Sequence, residues 1–450
     1  MTVPVPARGL TTYWVARALL PDGVARGVVL ACGGDDPGRG PGDGGRRPVG
    51  GHLTAVEAGV ARPPSHAVRL GGGDALAIPG LVDTHSHAFH RALRGRAGGG
   101  DFWAWRAGMY ALVDRLDPDS LLALATAAFG ELLLAGITTV HEFHYLHHPA
   151  GMDDAVCEAA RRAGIRLVVL DTCYLRAGFD GSPLDAVQRR FSDGDVGRWA
   201  TRAEKVAAAN ADVTVGAAIH SVRAVDPPSM GAVAAWARAR DVPLHLHLSE
   251  QRAENGACLA ATGRTPTRLA HDHAVLGPST TAVHATHVTG DDIRLLGTSG
   301  TRVCLCPTTE RDLADGIGPA AALAAAGCDL RLGTDSHAVA DLFEDARAVE
   351  LDERLATGRR GLHRPEALLA AATAGAVLRP GEPADLCVVG LDGVRLAGVD
   401  RDEPAPMLVA AATAADVTDV VVAGHHVVRE RHHASIDVAA DLRAAIAAVS

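Results

Sequence analysis

Between about residues 80 and 340 the chain alternates two patterns: short apolar runs, and Ala/Leu-rich stretches whose apolar residues recur at helical spacing. The short runs at 80–85, 138–143, 166–172, 214–219, 244–248, 281–284, 301–305 and 329–334 predict strands. The stretches between them, among them 119–134, 153–163, 231–240 and 319–326, predict helices, many opened by Asp or Pro and closed by Gly. Eight such units in succession are the pattern of a parallel sheet closed on itself. The expected class is α/β, with a (β/α)8 TIM barrel over residues 80–375.

On either side the pattern changes to short β-branched runs, at 27–31, 75–78, 384–389 and 417–422, with Gly390 and Gly424 as boundaries. The Gly/Pro/Asp-rich stretch 33–51 reads as a surface loop between strands. Residues 1–79 and 376–450 are therefore expected to pair into one small β-sandwich-like domain built from both chain ends. The segment between Leu355 and Pro380 is short, which would trim the last barrel helix or its return to the small β-domain.

Composition narrows the choice of partner. Of 450 residues, 48% are hydrophobic and 21% charged, enough apolar material for a large globular core. No apolar run approaches the roughly 20 residues of a membrane-spanning helix, and residues 1–30 lack the basic start, apolar stretch and cleavage site of a leader, so no membrane association and a cytoplasmic location are expected. The net charge of −10 leaves no basic surface for nucleic acid, and a small-molecule partner is expected instead. Eight cysteines without framework spacing read as buried thiols. The informative excess is the 22 histidines.

Those histidines concentrate at the predicted strand ends, on the face where barrel active sites lie. Strand one runs into His85-Ser86-His87, and because strand side chains alternate faces, the two imidazoles can point the same way. Taken alone, such a pair fits a polar surface loop at least as well. The fifth strand repeats it as His245-Leu246-His247 with Glu250 just beyond, the sixth ends at His284 and His287, and the eighth continues into Asp335 and His337. Repetition at one rim points to a divalent-metal site, and imidazole nitrogens with a carboxylate oxygen suit zinc while also accepting iron or manganese. On spacing alone, Glu250 could be an exposed carboxylate, and Phe102-Trp103-Ala104-Trp105 a core aromatic cluster with Arg106 a helix-surface charge. His144, His147, His148, His425, His426, His432 and His433 show no ligand spacing and are expected in loops or at the surface.

Residues 78–87 and 333–337, with the histidines of strands five and six, resemble the amidohydrolase superfamily, and the resemblance spans residues 80–340. It implies a metal at the barrel mouth that activates water, held by His85, His87, His247 and Asp335. Strand four, Val215-Gly216-Ala217-Ala218-Ile219-His220, lacks the bridging lysine common in two-metal members, so one divalent ion per chain is implied, Zn2+ with Fe2+ or Mn2+ as alternatives. Within the superfamily, four stretches resemble the formimidoylglutamate deiminase family: His85 to Phe89; Phe102 to Arg106 with Met109-Tyr110; Glu142 to His148; and His220 to Val225.

That family resemblance implies hydrolysis of N-formimidoyl-L-glutamate to N-formyl-L-glutamate and ammonia in histidine degradation, by a homodimer. It implies Glu250 as the proton shuttle, His284 as the group orienting the attacking oxygen, and Asp335 as a ligand that also assists deprotonation. Arg106 and Arg223 would hold the two substrate carboxylates, with Tyr145 and His220 adding hydrogen bonds. After His85-Ser86-His87-Ala88-Phe89 the family pattern has glutamine, whereas this chain has His90, so the substrate contact there differs. Two other readings compete. A purine, pyrimidine or triazine deaminase would need stacking surfaces rather than paired arginines, and a noncatalytic metal-binding assembly protein would have no use for Glu250 and His284.

Overall fold

The computed structural model describes residues 11–33, 51–96, 99–100 and 102–450; most of the expected loop at 33–51 lies outside them. Among the described residues, the eight predicted runs form one eight-stranded sheet in chain order. The strands are Leu81–Ser86, Ile137–His144, Arg166–Cys173, Thr214–Ser221, Leu244–Leu248, Thr280–His284, Arg302–Leu305 and Leu330–Leu332. Every neighbouring pair is parallel. The sheet closes on itself through a parallel bridge between Ser86 and Asp335. There the His87 N–H donates to the Asp335 carbonyl at 2.9 Å and the Asp335 N–H to the His85 carbonyl at 2.8 Å. Barrel closure thus runs through the backbone of three expected metal ligands.

That close approach has a local cause. A Cβ at Gly333 would lie 2.7 Å from the His85 carbonyl oxygen and 2.8 Å from the His85 nitrogen, so only glycine lets strand eight pass strand one here. The buried Asp83 carboxylate then fastens the two, accepting from the Thr334 N–H at 3.0 Å and the Thr334 hydroxyl at 2.6 Å.

The helices start where their capping residues predict. Pro118–Leu134 begins behind an Asp117/Ser120 capping box with proline at the first position, and Pro227–Arg240 behind Asp226, whose carboxylate accepts from the Ser229 N–H. Helix and strand faces bury a continuous core that includes Phe129, Phe143, Trp199 and Phe343. After strand eight, Leu342–Thr357 runs for 16 residues and Pro365–Ala372 for 8. The last barrel helix is therefore not trimmed, and the shortness falls on the return towards the chain-end sheet.

The chain ends form a separate nine-stranded sheet among the described residues. Ala75–Pro79, just before the barrel, pairs antiparallel with Leu386–Gly390, just after it. The final helix, Val438–Ala448, packs Val438 and Leu442 against Ala127 of barrel helix Pro118–Leu134. All eight cysteines are free and buried. No helix among the described residues is long and apolar enough to cross a membrane.

Two histidines expected in loops or at the surface are buried, His144 at the end of strand two and His147 in the loop after it. His144 and His147 are each 1% exposed, and Asp153 Oδ1 lies 2.8 Å from His147 Nδ1 and 3.4 Å from His144 Nε2. Arg202 reaches Asp153, Asp171 and Asp193 beside them. Helices Met152–Ala163 and Val196–Ala209 bring these charges together over strands two and three, and pairing offsets the cost of burying them. His426, also expected at the surface, is mostly buried and bonded to Asp419 at 2.9 Å.

Candidate active site

Strand alternation places His85 and His87 on one side of the barrel mouth, their rings edge to face with centroids 4.7 Å apart. The His87 Nδ1–H donates to the Phe143 carbonyl at 2.9 Å, and the His247 Nδ1–H to the His220 carbonyl at 2.8 Å. A carbonyl only accepts, so in both rings Nε2 is left with a bare lone pair. Burial pushes both imidazoles well below their ordinary range, which keeps them neutral.

These lone pairs face one another. His247 Nε2 lies 3.1 Å from His85 Nε2 and 3.4 Å from His87 Nε2, and Asp335 Oδ1 lies 3.4 Å and 3.5 Å from the same two histidine nitrogens. Burial alone would raise the Asp335 carboxyl, but the bond to His85 and the surrounding imidazoles hold it below the usual carboxylate range. Three converging imidazole nitrogens, two of them with bare lone pairs, and a carboxylate oxygen fit a cation. A tetrahedral site with bonds of about 2.0–2.1 Å has edges of about 3.3 Å, close to these separations.

Beside this cluster stand the groups that could move a proton. Left-handed backbone at Ser249 (φ 54°), His284 (φ 71°) and Asp335 (φ 49°) sets the strand ends at an angle to the barrel. Such conformations cost about 1–3 kcal/mol each and concentrate at functional sites. His284 Nε2 is 3.8 Å from Glu250 Oε1 and 3.8 Å from Asp335 Oδ2. On its other side, His284 Nδ1 donates to Glu310 Oε1 at 3.2 Å, and Glu310 Oε1 is held by the Cys306 N–H at 3.0 Å.

Burial pushes the Glu250 carboxyl up and His284 offsets part of that, leaving it at about 7. Burial would lower His284, yet Glu250, Glu310 and Asp335 together raise it well above the ordinary range. A carboxyl near neutrality beside a metal-type donor set can take a proton from water and give it back. Glu310 was missed by sequence reasoning, although a carboxylate just past the end of strand seven is itself a signal in a barrel.

Above the cluster opens a cavity whose lining includes Trp103, Trp105, Tyr110, Tyr174 and Phe191, and whose polar residues include His87, Glu250, His284 and Asp335. Arg106 and Arg223 both line it. Arg106 Nε donates to the Tyr110 hydroxyl at 3.0 Å, and Arg223 Nη1 to the Ala177 carbonyl at 3.0 Å. Among the described residues neither guanidinium is in a salt bridge. His90 Nε2 and the Tyr145 hydroxyl are bonded at 2.8 Å, and burial pushes His90 down to about 3, so it meets the cavity as a neutral ring. His220 packs edge-on against Tyr145 and Tyr174, and its buried Nδ1 has no protein partner.

The structure thus gathers His87, His90, Arg106, Tyr145, His220, Arg223, His247, Glu250, His284 and Asp335 around one cavity, with His85 packed against His87 and His247. His245, the partner of His247 in the second His-x-His, does not reach the cavity: it is buried beside His141, with ring centroids 5.6 Å apart.

The Amidohydrolase family matches residues 76–427. Formimidoylglutamate deiminase of Pseudomonas aeruginosa is 34% identical, with 94% of this chain and 96% of that protein covered. The 8-oxoguanine deaminase of the same organism is 32% identical, with 76% of this chain and 80% of that protein covered. An amidohydrolase from Brucella melitensis, solved by crystallography, superposes with a TM-score of 0.84 at 29% identity, covering 98% of this chain and 99% of its own.

Proposed function

The chain belongs to the amidohydrolase family and is a deaminase of that family, and from this we propose that it hydrolyses N-formimidoyl-L-glutamate to N-formyl-L-glutamate and ammonia, a step of histidine degradation. One observation carries the reading: two guanidiniums outside any salt bridge among the described residues face the same cavity as a metal-type donor cluster. A linear amidine with two carboxylates calls for that combination, because planar guanidinium matches a carboxylate better than any other side chain does.

His85, His87, His247 and Asp335 are assigned to hold one divalent ion, with Zn2+ the best match to the donors and Fe2+ or Mn2+ accepted by the same set. When bound, the ion supplies Lewis acidity that lowers the pKa of a water from about 15.7 to about 7. Arg106 and Arg223 bind the carboxylates, and Tyr145, His90 and His220 add hydrogen bonds that orient the amidine. Glu250 takes a proton from the attacking water and delivers it to the terminal nitrogen of the formimidoyl group, and the water's second proton, removed with the help of Asp335, follows to the same nitrogen and completes ammonia. The bond between carbon and that nitrogen breaks, ammonia leaves, and the carbon keeps the water's oxygen as the formyl carbonyl. His284, held by Glu310, orients the attacking oxygen, and Asp335 assists its deprotonation.

The test is to incubate metal-loaded protein with N-formimidoyl-L-glutamate and assay both ammonia and N-formyl-L-glutamate. The aromatic wall of Trp103, Trp105, Tyr110 and Tyr174 favours a second reading, a flat heterocycle, so 8-oxoguanine belongs in the same panel. Turnover of the ring with none of the amidine would replace the first reading by the second.

Metal content gives a separate check. The sequence holds a single lysine, Lys205, exposed on helix Val196–Ala209, so no lysine can bridge a pair of ions at the barrel mouth. Elemental analysis of active protein should find close to one divalent ion per chain. Two tightly held ions, or full activity after complete metal removal, would contradict this assignment.

A further inference from the structure

Behind the cavity wall lies Gln188, 5% exposed, at the start of the short turn Gln188–Phe191. Its Oε1 accepts the Asp185 N–H at 3.0 Å, while its own backbone N–H donates to Asp185 Oδ1 at 2.8 Å. This reciprocal pair settles the orientation of the amide, with Nε2 directed at the wall. There Nε2 donates to two phenols, Tyr174 at 3.2 Å and Tyr110 at 3.4 Å. Each phenol also accepts from a guanidinium, Tyr110 from Arg106 through both Nε, at 3.0 Å, and Nη2, and Tyr174 from Arg223 Nη1 at 3.5 Å.

A phenol oxygen offers two acceptor positions and one O–H. With both acceptor positions used by an arginine and by Gln188, each O–H is left to donate outward, and both tyrosines line the cavity. The wall therefore presents two donor pairs, Arg106 with Tyr110 through a forked bond and Arg223 with Tyr174 through a single longer one. Each couples a guanidinium N–H to a phenol O–H, a match to the two oxygens of one carboxylate. Arg106 and Tyr110 share one turn of helix Phe102–Arg115, whereas Tyr174 follows strand three and Arg223 follows strand four. Gln188 is the side chain bonded to both pairs.

We propose that Gln188 is a specificity-determining positioning residue that holds these two donor pairs at one separation, so that the site selects dicarboxylates by chain length. The proposal rests on the dicarboxylate reading of the pocket given above.

The test measures binding as well as turnover. Metal-loaded protein is titrated calorimetrically with succinate, glutarate and adipate, and kinetics are run on the formimidoyl derivatives of aspartate and glutamate and on neutral formamidine. Glutarate, whose carboxylates have the separation found in glutamate, should bind the parent about tenfold tighter than the other two diacids. Gln188→Leu keeps the volume but removes both N–H donors; it should weaken glutarate about tenfold and bring the three diacids within about threefold of one another. On formimidoylglutamate the loss should fall on KM, with kcat and the efficiency on formamidine changing less than about threefold. Gln188→Glu turns both phenol O–H groups inward to itself and should weaken glutarate further.

If Gln188→Leu does not fold, Tyr110→Phe and Tyr174→Phe report on the same device, since each deletes one O–H and should narrow the glutarate preference. An unchanged diacid ranking in Gln188→Leu overturns the proposal, and so does an equal loss on formamidine, which would mark a purely structural role. A parent that ranks the diacids yet leaves formimidoylglutamate intact overturns the assigned reaction and supports the spacing role. A parent that binds no diacid overturns both.

Discussion

Replacing Glu250 with Gln should lower turnover by about 100-fold or more while leaving the metal content close to that of the parent. Glutamine keeps the size of the side chain and its hydrogen bonds, but it cannot take up the proton that hydrolysis must move from water to the departing nitrogen. Glu250 lies outside the converging donors, with its Oε1 3.8 Å from His284 Nε2. His247→Ala should behave in the opposite way. It deletes the nitrogen 3.1 Å from His85 Nε2 and leaves the buried His220 carbonyl without its donor, so metal and activity should disappear together. Elemental analysis and single-turnover kinetics on both variants separate the two losses. Near-normal turnover in Glu250→Gln would mean that another group, such as Asp335, carries the proton.

Arg223→Met should lower kcat/KM on formimidoylglutamate by about 10- to 150-fold, the equivalent of losing about 1.5–3 kcal/mol of charge-assisted hydrogen bonding. Methionine preserves much of the aliphatic bulk. The local backbone has independent support, because Arg176 donates to the Val222 carbonyl at 2.8 Å and the Arg223 carbonyl at 2.9 Å. The loss should therefore report on the guanidinium rather than on folding. Neutral formamidine supplies the control: parent and variant should use it almost equally poorly, since neither has a carboxylate to hold. A variant that folds, keeps its metal and processes formimidoylglutamate at the parental rate would remove the main support for an acidic substrate.

The contrast between His247 and His245 shows where local pattern stops being informative. Both belong to one His-x-His, and alternation puts them on the same side of strand five, so nothing in the motif separates them. Depth in the barrel does: His247 reaches the mouth, while His245 lies further in beside His141, where burial holds it neutral. His144 and His147 make the complementary case. They look like loop residues, yet Asp153, six positions past His147, pairs with both, and Arg202, 49 positions beyond Asp153, pairs with that carboxylate in turn.

The eight strands, their parallel order and the clustering of histidines at their carboxyl ends were determined by the sequence alone, because each depends on periodicity within a few residues and on capping chemistry next to it. So were Gly333 and Asp335, which stand together in one short run. Tertiary structure decided the rest. Glu310 becomes the holder of His284 only when strands six and seven lie side by side, and Gln188 becomes a bridge between two tyrosines only when a turn after strand three packs behind the cavity. These contacts join residues 14 to 78 positions apart. Local propensity carries no record of such pairs, because their energy is gained only after the barrel has closed and water has been excluded from between them.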